Sequence, residues 1–293
     1  MYPRGFLYLP VVRDKDHFPV LGIHEFGHDL PLGQVLQYHE IRGLNTIDKP
    51  HKHDFFTFLM FEKGSGSHSI DFVMYTVKNR QAHLLFPGQV HSWELGKNTR
   101  AYQLMISRNL FETFSLVPGL PATGFNTHPV IHLSTEVFKN VLYELQAIKN
   151  ELTLGFNDSD IVSLRSRLVL QLISREAEEK FQELKVYQNT PLLLEYRTLV
   201  DAHFKEYRSV AYYARQLHIS PNYLNILCKK QLQVPAMSFI QQRVMLEARR
   251  LILASDMSLK EIAFDLGFND LAYFSNFFKS HSGLSPRQFR ERQ

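Results

Sequence analysis

The stretch Ala263-Phe264-Asp265-Leu266-Gly267-Phe268-Asn269, followed by Phe274-x-x-x-Phe278-Lys279, has an earlier counterpart in the same chain. There Ala214-x-x-Leu217-His218-Ile219-Ser220 is followed by Leu224-x-x-x-Cys228-Lys229. Such self-similarity predicts a duplicated supersecondary unit. Each copy reads as a short helix, a tight turn and a second helix with apolar residues four apart, the pattern of a helix-turn-helix. The end signals agree. Ser258-x-x-Glu261 is a capping box, and Ser220-Pro221 supplies an N-cap with proline at the first helical position. Gly267 stands where the turn requires positive φ; His218 holds the equivalent place, which histidine tolerates better than most residues. Between the copies, Phe239, Val244, Ala248, Leu251 and Ile252 mark one long helix ending near Ser255.

Charge follows the same division. Residues 191–293 hold 14 Lys and Arg against 9 Asp and Glu, whereas residues 1–190 hold 19 against 20. The basic excess therefore sits with the repeat, as nucleic-acid binding requires. Histidine runs the other way, with 11 of 14 before residue 133. At 293 residues, 44% hydrophobic and 21% charged, the chain has ordinary globular composition and length for two domains. Apolar runs such as Leu168-Val169-Leu170 are short and bounded by Arg and Gln, so no membrane span is expected. Pro3 and Arg4 interrupt any signal-peptide pattern, and the single Cys228 excludes an internal disulfide or a cysteine-rich metal site. A cytoplasmic protein is expected.

From about Gly33 to Ile106 the chain reads as strands and turns. Phe55–Phe61 is too apolar for a solvated face and predicts a buried strand. Ile70–Phe72, Val73–Val77, Ala82–Phe86, Val90–Leu95 and Ala101–Ile106 read as further short strands, so a small barrel or sandwich is expected. After Ser134 the period changes. Phe138, Val141, Leu145, Ile148 and Leu152 form one helical stripe, and Ile161, Leu164, Leu168 and Leu172 form another on a helix near Asp160–Lys185. Either stripe suits packing on the barrel or the seam of a homodimer. The loop Gly155–Ser159 separates the two helices, and Asn189-Thr190-Pro191 is the linker candidate. The expected division is a sensor barrel at 1–133, a helical pair at 134–187, a linker at 188–191 and an all-α domain at 192–293.

Ala263–Phe268, Tyr273–Lys279 and Gly283-Leu284-Ser285-Pro286-Arg287-Gln288-Phe289-Arg290 together resemble the signature of AraC/XylS-type bacterial transcription regulators. The resemblance covers about Leu192–Arg290. It implies two major-groove recognition helices, near Pro221–Gln231 and Asp270–His281. Carried over by position, the base-facing residues are Asn222, Asn225 and Ile226 in the first, and Leu271, Ala272, Ser275 and Asn276 in the second. Asn can read an adenine edge with two hydrogen bonds, and Leu or Ile can touch a thymine methyl. Lys229, Lys230 and Lys279 would meet phosphates, which position rather than specify. Cys228 departs from the usual aromatic, Gln233 stands where glycine is common, and Asn276 occupies a position that often carries Arg.

His51-x-His53 and Pro87-Gly88-Gln89-Val90-His91 are similar to the two short motifs of the cupin barrel. Metal-binding cupins join such histidines to a glutamate; here Thr57 or Phe58 stands in its place. Three neutral imidazoles suit a zinc or iron ion with an open position. With the carboxylate missing, they read instead as polar pocket walls, and no cofactor is expected. Phe55, Phe58, Tyr75 and Trp93 complete the candidate effector pocket. The expected architecture is α+β: a cupin-like β-barrel with two following helices, then an all-α domain of two helix-turn-helix units joined by a long helix. The expected function is a transcription regulator, activating rather than repressing, that binds double-stranded promoter DNA and answers a small-molecule effector such as a sugar. RNA polymerase would be its partner as an activator. The alternative is a metal-dependent cupin enzyme with a helical appendage, which would leave the basic repeat without a use.

Overall fold

The computed structural model describes residues 20–23, 35–115, 128–153, 159–181, 186 and 190–291. Two five-stranded sheets form the first half. One runs β1 (Val20–Leu21), β3 (Asn45–His53), β8 (His91–Leu95), β5 (Gly66–Ile70) and β6 (Val73–Thr76). The other runs β10 (Val130–His132), β7 (Gln81–Leu85), β4 (Phe56–Lys63), β9 (Arg100–Ile106) and β2 (Leu36–Arg42). All pairings are antiparallel except β1 with β3. The short helix α1 (Arg108–Ser115) follows β9. Ile70–Phe72 is not a strand: Asp71 and Phe72 both have positive φ and form the two-residue turn between β5 and β6. That conformation matches the twist of a tight hairpin.

The strand β4 explains why its run is apolar throughout. Phe56, Phe58 and Met60 face a core shared with the helices, whereas Leu59 and Phe61 face the barrel interior with Ile70, Leu85, Trp93 and Leu95. Both faces are dry. The helices α2 (Thr135–Thr153) and α3 (Ser159–Lys180) supply the outer layer of that core. Val141, Leu145 and Ile148 of α2 are fully buried there. The α2 stripe is therefore the barrel's own packing and not a dimer seam. The exposed stripe is on α3, where Ile161, Leu164 and Leu168 are 38%, 64% and 44% exposed. Residues 155–158 of the loop between these helices and 188–189 of the linker candidate lie outside the described residues.

The second half is helical: α4 (Pro191–His203), α5 (Val210–Gln216), α6 (Pro221–Leu232), α7 (Ala236–Ala254), α8 (Leu259–Asp265), α9 (Leu271–Ser282) and α10 (Pro286–Arg290). Every helical pair packs on one core built around Tyr196, Tyr213, Leu224, Val244, Ala248, Ile262, Phe274 and Phe278. Cys228 fills its place in that core, fully buried beside the same helices. The Ser258–Glu261 capping box is complete, and Ser220 accepts from the Tyr223 amide. Gly267 has φ +74°, and a Cβ there would meet the Lys205 carbonyl oxygen at 2.2 Å. His218 holds the same turn of the first unit at φ +54°, and Gln233 ends α6 in the left-handed region. Among the described residues no helix is long and apolar enough to cross a membrane.

Candidate nucleic-acid interface and sensor site

In each unit, a short helix and turn set the angle of the helix that follows. The second helices of the two units, α6 and α9, carry the same pattern of exposed and buried residues over ten positions, from Pro221 to Lys230 and from Leu271 to Ser280. Asn222, Ile226 and Lys229 are exposed on α6; Leu271, Ala272, Asn276 and Lys279 are exposed on α9. Such a face, one polar residue able to form paired hydrogen bonds and apolar residues beside it, is chemically equipped to read base edges. Asn225 and Ser275 are half-buried. The Asn225 Oδ1 accepts from the Ala236 amide at 3.2 Å, so it steadies the start of α7. Two exposed aromatics lie outside the sequence candidates: Tyr223 and Tyr273, 50% and 62% exposed at matching positions. Their correspondence in the repeat was the available signal.

The barrel interior gathers histidines from four strands. His51 and His53 alternate inward on β3, and His91 opens β8 opposite His51. Their Nε2 atoms converge, His53 lying 3.1 Å from His51 and 3.0 Å from His91. All three rings are buried. The outward nitrogens are held as well. His51 Nδ1 faces the Lys49 carbonyl at 3.4 Å, and His91 Nδ1 lies 3.2 Å from His68 Nε2. His68 Nδ1 in turn lies 2.9 Å from His83 Nδ1, and His83 Nε2 reaches Gln81 Oε1 at 3.3 Å. His68 and His83 were not among the sequence candidates. Strand alternation marks their faces, but only the pairing of β5 with β8 places His68 against Trp93 and the cradle.

Burial holds these rings neutral. It lowers the pKa of His51 and brings His53 to about 3, with the nearby His51 adding to the effect. His83 is likewise pushed to about 3 by burial alone, and His68 and His91 fall well below the ordinary histidine value. Neutral imidazole is the form that ligates metals and that both donates and accepts hydrogen bonds. Four-coordinate zinc with nitrogen ligands at about 2.0–2.1 Å separates them by roughly 3.3 Å, close to the spacings observed. The Thr57 hydroxyl, on the inward face of β4, is fully buried with no hydrogen-bond partner among the described residues. The donor set therefore fits a metal or a polar ligand without the cupin glutamate.

The other pocket candidates divide. Phe55 stacks on His53 at 4.4 Å, and Trp93 lies 5.4 Å from His91 and donates its Nε1–H to Asn45. Tyr75 is half-buried against the interior cluster. Phe58 faces the opposite way, into the core under α2 and α3. The structure thus brings together every candidate except Phe58.

Comparison with known proteins matches both halves. Residues 213–292 match the family described as Helix-turn-helix domain, and residues 37–145 match that described as AraC-like ligand binding domain. The HTH-type transcriptional activator RhaS of Escherichia fergusonii is 24% identical over 243 residues, covering 82% of this chain and 87% of that protein. The arabinose operon regulatory protein of Salmonella typhimurium is 32% identical over 92 residues, 31% of each chain. The crystal structure of ToxT from Vibrio cholerae is similar over 88% of this chain and 98% of that one, at 14% identity and a TM-score of 0.43.

Proposed function

We propose that this chain is a sequence-specific DNA-binding transcription regulator of the AraC type that activates transcription when a small-molecule effector occupies the histidine-walled barrel. The observation that carries the reading is the duplicated face: α6 and α9 expose corresponding positions and pack on the single helix α7. Two such faces fixed to one helix suit two major-groove contacts on one side of a duplex. Asn222 and Asn276 read bases, whereas Lys229, Lys230 and Lys279 meet phosphates. RNA polymerase is the partner such an activator requires, and the cytoplasm is its place.

A sugar suits the pocket's chemistry, because neutral imidazoles pair with hydroxyls in either sense and the rings of Phe55 and Trp93 offer flat apolar faces. A divalent metal at His51, His53 and His91 is the second reading, favoured by the convergence of their Nε2 atoms. An enzymatic role has less support: the matched relatives are regulators, and Thr57 supplies no carboxylate for proton transfer. The deciding experiment is a mobility shift on duplex DNA from upstream of the chain's own coding sequence, with and without a sugar panel and zinc. Binding that survives scrambling of the sequence would overturn the proposed base contacts, and promoter output unchanged by every ligand would overturn the sensor role.

The exposed ridge of Ile161, Leu164 and Leu168 on α3 is the proposed homodimer seam, because apolar residues at that spacing form a continuous strip. Pairing there would tether two readers and raise avidity for a double site by about a hundredfold or more. Leu164→Glu is expected to yield a folded monomer by light scattering. A monomeric wild type would end the dimer proposal.

A further inference from the structure

The two halves meet through a buried carboxylate. Asp71, in the turn between β5 and β6, accepts from Arg250 Nε on Oδ1 at 2.7 Å and from Nη2 on Oδ2 at 2.6 Å. Arg250 lies on α7, 179 positions along the chain, so this paired contact joins barrel to reader. The side chains are only 12% and 10% exposed. A planar guanidinium gripping both oxygens of a carboxylate fixes orientation as well as distance. Glu247 Oε2 holds Arg250 Nη1 at 3.2 Å and Arg243 Nη1 at 3.0 Å, which steadies the arginine on its helix.

Asp71 is held equally on the barrel side. Its Oδ2 accepts from Gln89 Nε2 at 2.7 Å, its Oδ1 from the Val90 amide at 3.3 Å, and its own amide donates to the Val90 carbonyl at 2.8 Å. The next residue is His91, which supplies one nitrogen of the cradle and pairs with Ile70 across the β5–β8 ladder. A second cradle strand faces the same way. Lys52, between His51 and His53, lies in the field of Glu247, Arg250, Lys205 and Asp265 of the helical half. The cradle and the long helix are thus one carboxylate apart.

We infer that Asp71 is the relay between sensor pocket and DNA reader, with the Arg250 clasp and the position of His91 forming one coupled unit. The inference rests on reading the histidine cradle as the effector site. A ligand that shifts His91 carries Gln89 and Val90 with it, and the paired geometry at Arg250 tolerates little displacement. Coupling of this kind is reciprocal, so an alteration on α7 must also be felt at the cradle.

Reciprocity supplies the test. In the full chain, amide hydrogen exchange is followed at Asp71 and Val90, and zinc affinity is measured by competition with a chromophoric chelator. Arg250→Ala is expected to speed exchange at both amides by about tenfold or more. It should also shift zinc affinity by about threefold or more. Arg287→Ala, which removes the exposed pair with Glu291, is expected to do neither. Arg250→Lys keeps the charge but loses the fork, and should give the same changes in smaller measure should the alanine variant lose its helical fold. Unchanged exchange in a folded Arg250 variant overturns the relay, as does an equal response from Arg287→Ala. In a protein that binds no zinc the metal reading falls and the His91 amide becomes the cradle readout: exchange there that responds to Arg250→Ala sustains the relay, and exchange there that does not overturns it. Zinc binding that survives His51→Ala and His91→Ala removes the cradle as its site and leaves the exchange result to decide the relay.

Discussion

The reader and the sensor place their chemistry in opposite ways. On the reader, the residues proposed to meet DNA are exposed, and each helix is started by residues three or four positions away: Ser220 for α6, Ser258 for α8, Asp270 for α9. On the sensor, the residues proposed to meet a ligand are buried and come from β3, β5, β7 and β8, gathered only by strand pairing. One half is organised by local chain order and the other by long-range contact. The difference governs how each responds to pH, to backbone strain and to removal of a single side chain.

The largest separation is expected from acid. His51, His53, His68, His83 and His91 have folded pKa values below the ordinary 6.5, chiefly through burial. The unfolded barrel therefore binds protons below pH 6.5 that the folded one refuses. Stability is full above 6.5 and falls as pH drops from there, down to about 3 for His53 and His83, with a slope near 1.4 kcal/mol per pH unit for each of those two. Several act together, so the loss at pH 5 should reach several kcal/mol. Among the described residues the reader has no buried histidine. Calorimetry between pH 7.5 and 5 should show the barrel transition moving down relative to the reader's. Transitions that move in parallel would break the contrast.

Strain introduced at Gly267 should do the reverse, striking the reader and sparing the barrel. Gly267→Val places a β-branched side chain at φ +74° and its Cβ against the Lys205 carbonyl. The destabilisation should be about 3 kcal/mol or more, because strain and overlap act together. Gly283 has a similar φ of +76° but no atom within 4 Å of a Cβ, so Gly283→Ala should cost only about 1 kcal/mol. Circular dichroism melts of the full chain, with DNA binding measured alongside, check both. A wild-type melt for Gly267→Val would refute the steric account.

That local-versus-distant contrast also explains what the sequence disclosed. The repeat, its caps, the positive φ at His218 and Gly267 and the second helix of each unit were readable to within a residue or so, because their determinants are near neighbours. The helical stripes were readable as stripes, but periodicity shows that a face exists and not what covers it. Hence α2 turned inward and α3 kept its ridge exposed. Phe58 escaped for a related reason: β4 is apolar on both sides, so alternation carried no sign. His68 and His83 carried no motif, and the Asp71–Arg250 clasp joins residues that no spacing rule relates.

Within the reader, base contacts and phosphate contacts should separate. Asn276 is exposed on α9 and free to turn its amide toward a base. Asn276→Ala should weaken cognate binding by about 1–3 kcal/mol and scrambled duplex by less. Equal weakening would remove its reading role. Asn225 offers an internal contrast, since its Oδ1 is engaged by Ala236; Asn225→Ala should lower reader stability as well as affinity.

Lys279 should give the smallest effect and the cleanest separation from Asn276. It is exposed on the last turn of α9, and Lys229 holds the same place on α6. A lysine there attracts phosphate wherever the helix lies in a groove, so its contribution is nearly independent of sequence. Lys279→Ala should therefore weaken cognate and scrambled duplex alike. The slope of log affinity against log salt should become shallower by about 0.9 for each phosphate that is no longer neutralised. Lys229→Ala should do the same, and the double variant should flatten the slope by about twice as much when both helices dock together. A double variant no shallower than either single one would mean that only one recognition helix engages DNA. The repeat would then be two folded units with one reader, even though their exposed faces match.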